Sequence, residues 1–410
     1  MGNALSRIGP GFMLAATAVG VSHLVFSTQA GGRYGLSLAL LIVAIIVLKY
    51  PAFRFAVDYS SATGRSLITG YARISRVALG WLLASFAFDM FFATGAVAMV
   101  TAGLLISVFG LSFSAPQVAV ALMVITAAIL INGQYSKAER IVKTLVLLFT
   151  ILVVVATLFS LTSLGSEGRP VFAGMTLDRS LAVFVIAMAG WMPMPTNGAV
   201  MFSKWICEKR DATGQHFDRQ SAMFDFKMGY GLTLVLALCF VVMGTAVLFE
   251  TGREMPASPA SYATELLGIF TTSIADWVYP VIAVAGIAVI WSTQVALMDV
   301  FPRVMDRLTG ALTGRPDDAP SRFRLFLAIQ VAGVAAILLL LMKGFTTFLF
   351  FTTSMGFIAS PAIAYYNYRA VSGDALPAEY RPTTVLALWS WAGIFFLAAF
   401  AVAFLWTNLG

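Results

Sequence analysis

The sequence predicts an all-α integral membrane protein whose helix bundle is an inverted repeat with two broken helices. Three observations carry that expectation. The chain is 60% hydrophobic and 11% charged over 410 residues, with a mean hydropathy of +0.88, which leaves too little polar material to cover a soluble globule of that size. Its apolar runs are long enough to cross a hydrocarbon layer of roughly 30 Å, and its basic residues gather on alternate sides of them. Two of the runs are interrupted near their middles, at residues 20–23 and 190–197.

Taken in order, the apolar runs fall near residues 12–32, 35–57, 78–108, 116–132, 141–163, 180–204, 227–249, 277–301, 323–342, 345–368 and 383–407, which makes eleven spans. Of the 26 Lys and Arg residues, 21 lie on the side of the N-terminus, including the group from Lys49 to Arg76. Arg33, Arg169, Arg179, Arg253 and Lys343 lie opposite. The positive-inside rule therefore predicts a plasma (inner) membrane protein with a cytoplasmic N-terminus, and an odd span count puts the C-terminus outside. The net charge of +7 is spread over loops without a basic face interleaved with aromatics, so no nucleic-acid partner is expected. Cys207 and Cys239 form neither a disulfide framework nor a metal-ligand spacing. The first six residues fit a myristoylation pattern and a short basic signal peptide, but the apolar run after Arg7 continues to about Ala30 without a clear cleavage site. The loops are short, so residues 1–410 are expected to form one transmembrane domain. The segment Ser261 to Phe270 suggests a short interfacial helix in the longest external connection.

The sixth run contains Gly190-Trp-Met-Pro-Met-Pro-Thr-Asn197. Pro193 and Pro195 each remove a backbone donor and clash with the preceding turn, so helical hydrogen bonding is interrupted there. The first run carries Val19-Gly-Val-Ser-His23, where Gly20 and Ser22 weaken the helix. Spans 1–5, about residues 9–163, are then repeated by spans 6–10, about 180–368, with an appended helix at about 383–407. Because five is odd, the second repeat is inverted. That is the LeuT-type architecture, whose site lies between the broken first and sixth helices at mid-membrane.

The residues themselves resemble the Nramp divalent-metal transporters. Gly9-Pro-Gly-Phe12 and Gln29-Ala-Gly-Gly-Arg-Tyr-Gly35 match the start and end of that family's first span at the same separation. Between them the family has Asp-Pro-Gly-Asn, where this chain has Gly20-Val-Ser-His23; the metal-ligating Asp becomes Gly20 and the ligating Asn becomes His23. In the sixth span the family's Gly-Ala-Thr-Ile-Met-Pro-His-Asn is similar to residues 190–197, with Met194 as the soft sulfur ligand and Thr196 in place of the histidine. Asp89-Met-Phe-Phe-Ala-Thr-Gly95 is similar to Asp-Leu-Ala-Glu-Val-x-Gly, with Phe92 for the Glu. Ser354 stands for a polar Gln in the tenth span. The resemblance runs from about Gly9 to Ala370 and implies the fold more specifically than the cargo.

It implies a secondary transporter of divalent metal cations working by alternating access. The departures point elsewhere, because hard and borderline cations draw compensating charge from carboxylate oxygen and the two breaks carry none. The expected substrate site is Gly20, Val21, Ser22, His23, Met194, Pro195, Thr196, Asn197 and Ser354. Mn²⁺ or Fe²⁺ transport is expected to be weak or absent. A soft ion held by Met194 and His23 is one reading. The other is a small organic solute, its carboxylate received by the half-helix that starts at Gly20 and its apolar part by Trp191, Phe92 and Met194. A receptor derived from a transporter is a third. Asp89 is the acid placed near mid-membrane, where a carboxyl is expensive, so it and His23 are the expected proton-coupling groups. Asp58 and Asp299 lie near span ends, where solvation is easy. No enzyme chemistry and no cofactor are expected.

Overall fold

The computed structural model describes residues 9–18, 20–133, 135–166, 170–176, 178–213, 219–316, 321–373 and 376–409. The segments that carry Arg7, Val19, Arg169 and His216 lie outside them.

The first span is two pieces. Helix α1 (Pro10–Ala18) ends before Gly20, and a π-helical stretch, Ser22–Ser27, runs into α2 (Thr28–Tyr34). Then follow α3 (Ala39–Thr63), the short α4 (Leu67–Ile74), α5 (Arg76–Phe109), α6 (Ala115–Ile131) and α7 (Tyr135–Ser163). The sixth span is again two pieces, α8 (Arg179–Trp191) and α9 (Gly198–Thr213). The second half continues with α10 (Arg219–Gly244), α11 (Pro259–Ser273), α12 (Tyr279–Thr313), α13 (Phe323–Ala336), α14 (Phe345–Ile358), α15 (Ser360–Ser372) and α16 (Thr384–Leu409).

Among the described residues eight helical segments are long and apolar enough to cross a membrane, and α6 and α8 are apolar but shorter. With the broken first span these account for the eleven predicted segments. At 1.5 Å per residue, α5 and α12 are each about 50 Å long and overrun the hydrocarbon layer. They pack together as the wall opposite the two breaks, with Phe86 and Phe301 meeting edge to face at 5.9 Å.

Helix α10 lies against both halves of the first span. The approach needs glycine: a Cβ on Gly31 would sit 2.1 Å from the Val241 carbonyl oxygen, and one on Gly244 would sit 2.3 Å from that of Thr28. Two helices were not read as structural parts of the bundle. The polar stretch holding α4 caps the bundle through Tyr71, whose hydroxyl donates to the Ile363 carbonyl at 3.0 Å. The segment expected to form a short interfacial helix is α11, which buries Tyr262, Leu266 and Phe270, and the Tyr262 hydroxyl donates to the Val25 carbonyl at 3.3 Å.

Candidate functional site

The break between α8 and α9 follows from its two prolines. With Pro193 and Pro195 lacking N–H groups, the carbonyls of the preceding turn lose their normal partners and must find others. Met188 keeps an intrahelical bond from the Met192 amide, and Pro195 and Thr196 accept from the amides of Gly198 and Ala199. The Pro193 carbonyl accepts from the Ser22 hydroxyl at 3.0 Å, which joins the two breaks. The carbonyls of Ala189, Gly190 and Met194 accept from one group, the ammonium of Lys49, at 3.1, 3.2 and 2.9 Å.

Lys49 corrects the sequence reading, which counted it among the basic residues on the side of the N-terminus. It stands within α3 with its side chain fully buried. Burying an ammonium costs several kcal/mol. Three charge-assisted bonds use all three of its donors, and the carbonyl end of α8 is the negative end of a helix dipole, so the cost is offset on both counts.

At the other break, His23 is fully buried. Its Nε2 lies 2.9 Å from the Thr233 carbonyl oxygen of α10, while Nδ1 lies 2.6 Å from the Ala18 carbonyl oxygen and 2.8 Å from the Ser22 hydroxyl. Both nitrogens are engaged by protein groups, one at the end of α1 and the other within α10, and His23 does not line the cavity. The pair of soft ligands read from the sequence is therefore not brought together: Met194 faces the cavity and His23 faces α10.

The cavity between the breaks has a volume of about 50 Å³ and is lined by Thr17, Val21 and Ser22 from the first span, Trp191, Met194, Pro195 and Asn197 from the sixth, Asp89 from α5 and Thr293 from α12, among others. That is room for a few water molecules. Asn197 holds the acid in place, its amide donating to Asp89 Oδ2 at 2.6 Å and to the Ser85 hydroxyl at 3.0 Å. The other carboxyl oxygen, Asp89 Oδ1, and the Trp191 indole N–H are both buried without a protein partner. A methyl built on Gly356 of α14 would lie 3.4 Å from the first and 3.8 Å from the second, so the two orphan atoms converge on one spot. Buried polar atoms are rarely left unpaired in folded proteins.

Gly20 is backed by Thr293. A Cβ there would meet Thr293 Oγ1 at 3.1 Å and its methyl at 3.2 Å, so the space a side chain would need is already filled from α12. Thr196 and Ser354 are buried, with hydroxyls lacking a hydrogen-bond partner, but neither lines the cavity. Phe92 is also elsewhere, stacked on Phe88 at 4.5 Å. Sequence reasoning missed Lys49, Ser85, Thr233 and Thr293 as parts of this region. Lys49 carried a usable signal, a charge eight residues inside the predicted end of an apolar run.

Phe26, Phe184 and Phe350, from the first span, α8 and α14, are mutually in contact at 5.8–6.2 Å. Helices α9 and α12 continue past the cavity into a basin of about 520 Å³ lined by Arg65, Lys204, Arg210, Arg303, Arg307 and Arg315 against Glu208, Asp211 and Asp306. Lys204 pairs with Glu208 at 2.8 Å, and Arg315 pairs with Asp306. Asp58 and Asp299 serve as ion-pair partners, with Arg219 at 2.6 Å and Arg303 at 2.8 Å. Among the described residues no three His, Cys, Asp or Glu side chains cluster as a metal site.

A family model described as natural resistance-associated macrophage protein-like, Nramp, matches residues 11–407. An uncharacterized protein of Pasteurella multocida (strain Pm70) is 27% identical over 408 residues, which is 99% of this chain and 93% of that protein. Among solved structures, a mutant of the Eremococcus coleocola manganese transporter superposes with a TM-score of 0.70 at 13% identity, covering 97% of this chain and 86% of the other. MhsT in complex with L-phenylalanine superposes with a TM-score of 0.62 at 16% identity, covering 97% and 98%. The structural likenesses carry the fold, and the family match, spanning nearly the whole sequence, carries the identity: the chain belongs to the Nramp family of membrane transporters.

Proposed function

We propose that this protein is a secondary transporter that works by alternating access at the cavity between the two breaks, and that its cargo is a small uncharged or anionic solute in place of Mn²⁺ or Fe²⁺. The observation that supports this most is the donor set. A divalent ion leaving water needs carboxylate charge. The cavity holds one carboxyl, Asp89, already engaged by Asn197, and the position that resembles the family's ligating Asp is Gly20, packed against Thr293. Met194 and Met201 line the cavity as soft donors, and both are uncharged thioethers.

Two further features favour such a cargo. Six basic side chains against three acidic ones line the basin beyond the cavity, a field that concentrates anions and repels cations. The orphan Asp89 oxygen and Trp191 N–H offer an acceptor and a donor to a polar group of few atoms. With Asp89 as the coupling carboxyl, protons are the driving ion. The basin faces the cytoplasm with the N-terminus, and the C-terminus is external. Cysteines placed at Asn3 and Asn408 should label from opposite faces of the plasma membrane.

The test is a thermal-shift screen of purified protein against divalent metal chlorides, small carboxylic acids, amino acids and amides, followed by liposome flux for each hit. A solute from the organic set should stabilise the protein and be carried. Stabilisation by divalent metals alone would contradict the reading.

A further inference from the structure

We propose that Lys49 is a tethered cation. Its ammonium permanently occupies the carbonyl end of α8, so the break keeps its shape without a bound ion, and the oxygens of Ala189, Gly190 and Met194 are denied to any transported cation. The geometry is that of an ion site: three carbonyl oxygens, two from the last turn of α8 and one from within the break, converge at 2.9–3.2 Å on one lysine nitrogen. Interrupted helices in transporters present such carbonyls to a coupling cation. Here the cation is covalently part of α3.

The surroundings agree with that role. Among the described residues no carboxylate pairs with Lys49, so the charge is balanced by backbone dipoles, as a bound ion's would be. The backbone of α3 is held in the turn just before the lysine, where Ile46 accepts from the Tyr230 hydroxyl at 2.7 Å and Val47 from the Trp389 indole at 3.0 Å. A packing lysine would extend its amine to an interface; this one is fully buried. Lys49 is thus a positioning residue for the break and a specificity-determining residue for cargo charge, whatever the cargo is.

Chemical rescue tests it without knowledge of the cargo. Lys49→Ala leaves an ammonium-sized space ringed by the three carbonyls, and Lys49→Met fills that space without charge. The thermal unfolding midpoint of each purified variant is measured in ammonium, methylammonium, potassium and choline chlorides at equal ionic strength. The wild type should not distinguish the salts. Lys49→Ala should unfold at lower temperature and recover several degrees in ammonium, methylammonium or potassium relative to choline, by mass action of an ion that binds the folded form. Lys49→Met should be destabilised and not rescued. The proposal is overturned if Lys49→Met is as stable as the wild type, or if Lys49→Ala responds alike to all four salts, including failure to fold in every one of them.

Discussion

The bond from Asn197 to Asp89 ties the sixth-span break to α5, and its removal has a predictable cost. Asn197→Ala deletes two hydrogen bonds, at 2.6 Å to Asp89 and 3.0 Å to Ser85. It also leaves both oxygens of a buried carboxyl unpartnered, since Oδ1 already lacks a protein partner. At about 1 kcal/mol net per bond, with a further 1–3 kcal/mol for the stranded group, the loss is about 3–5 kcal/mol. Per-residue unfolding entropies convert that to a fall of roughly 3–6 °C in midpoint for a chain of this length. Cys239 is buried and Cys207 half-buried, so a thiol-reactive fluorophore reports unfolding directly. Asp89→Ala alone leaves Asn197 its serine partner, and the double variant should lose much less than the sum of the two, with a coupling of about 2 kcal/mol. Additivity within about 0.5 kcal/mol would refute the claim that the two side chains act as a unit.

Three further outcomes are expected. Gly20→Asp alone should destabilise the protein because Thr293 occupies the space, whereas Gly20→Asp with Thr293→Ala should fold and gain divalent-metal binding measurable by calorimetry; equal metal binding with and without the threonine would dismiss the steric part. Gly31→Ala should cost about 2 kcal/mol or more in thermal unfolding, since its methyl meets the Val241 carbonyl of α10 and neither backbone can yield. Proton-driven accumulation of the screened solute should be lost in Asp89→Asn, which keeps an acceptor for Asn197 but no titrating proton. In His23→Gln it should fall less, because glutamine restores one of the two carbonyl contacts; accumulation unchanged in both variants removes them from coupling.

The fold was legible because its signals are local. Two prolines within three residues announce the break after α8, and Gly20 with Ser22 announces the other. The site was legible in its members more than in its connections. Asp89 and Asn197 each stood out in the sequence, but nothing local says that they are bonded across 108 positions. His23 stood out as a lone histidine in an apolar run, yet its direction is set by the Thr233 carbonyl, 210 residues away. Lys49 was hardest, because a lysine toward the end of an apolar run looks the same whether it reaches water or turns inward. The deciding fact is that the Pro193 and Pro195 break strands carbonyls 140 to 145 residues further on. Gly20 read as a lost ligand, and its second meaning, a fit to Thr293, needs the packing of α12 against the first span.

The central claim is that a cavity with one engaged carboxyl and a lysine on its backbone oxygens does not carry a hard divalent ion. Mn²⁺ uptake into proteoliposomes, driven by an inward proton gradient and an inside-negative potential, tests it most directly. The account predicts no saturable uptake above protein-free liposomes, while a solute from the screen is accumulated by the same preparation. Saturable Mn²⁺ uptake with an apparent affinity of about 1–100 μM, in the ordinary range for a working substrate, would contradict it.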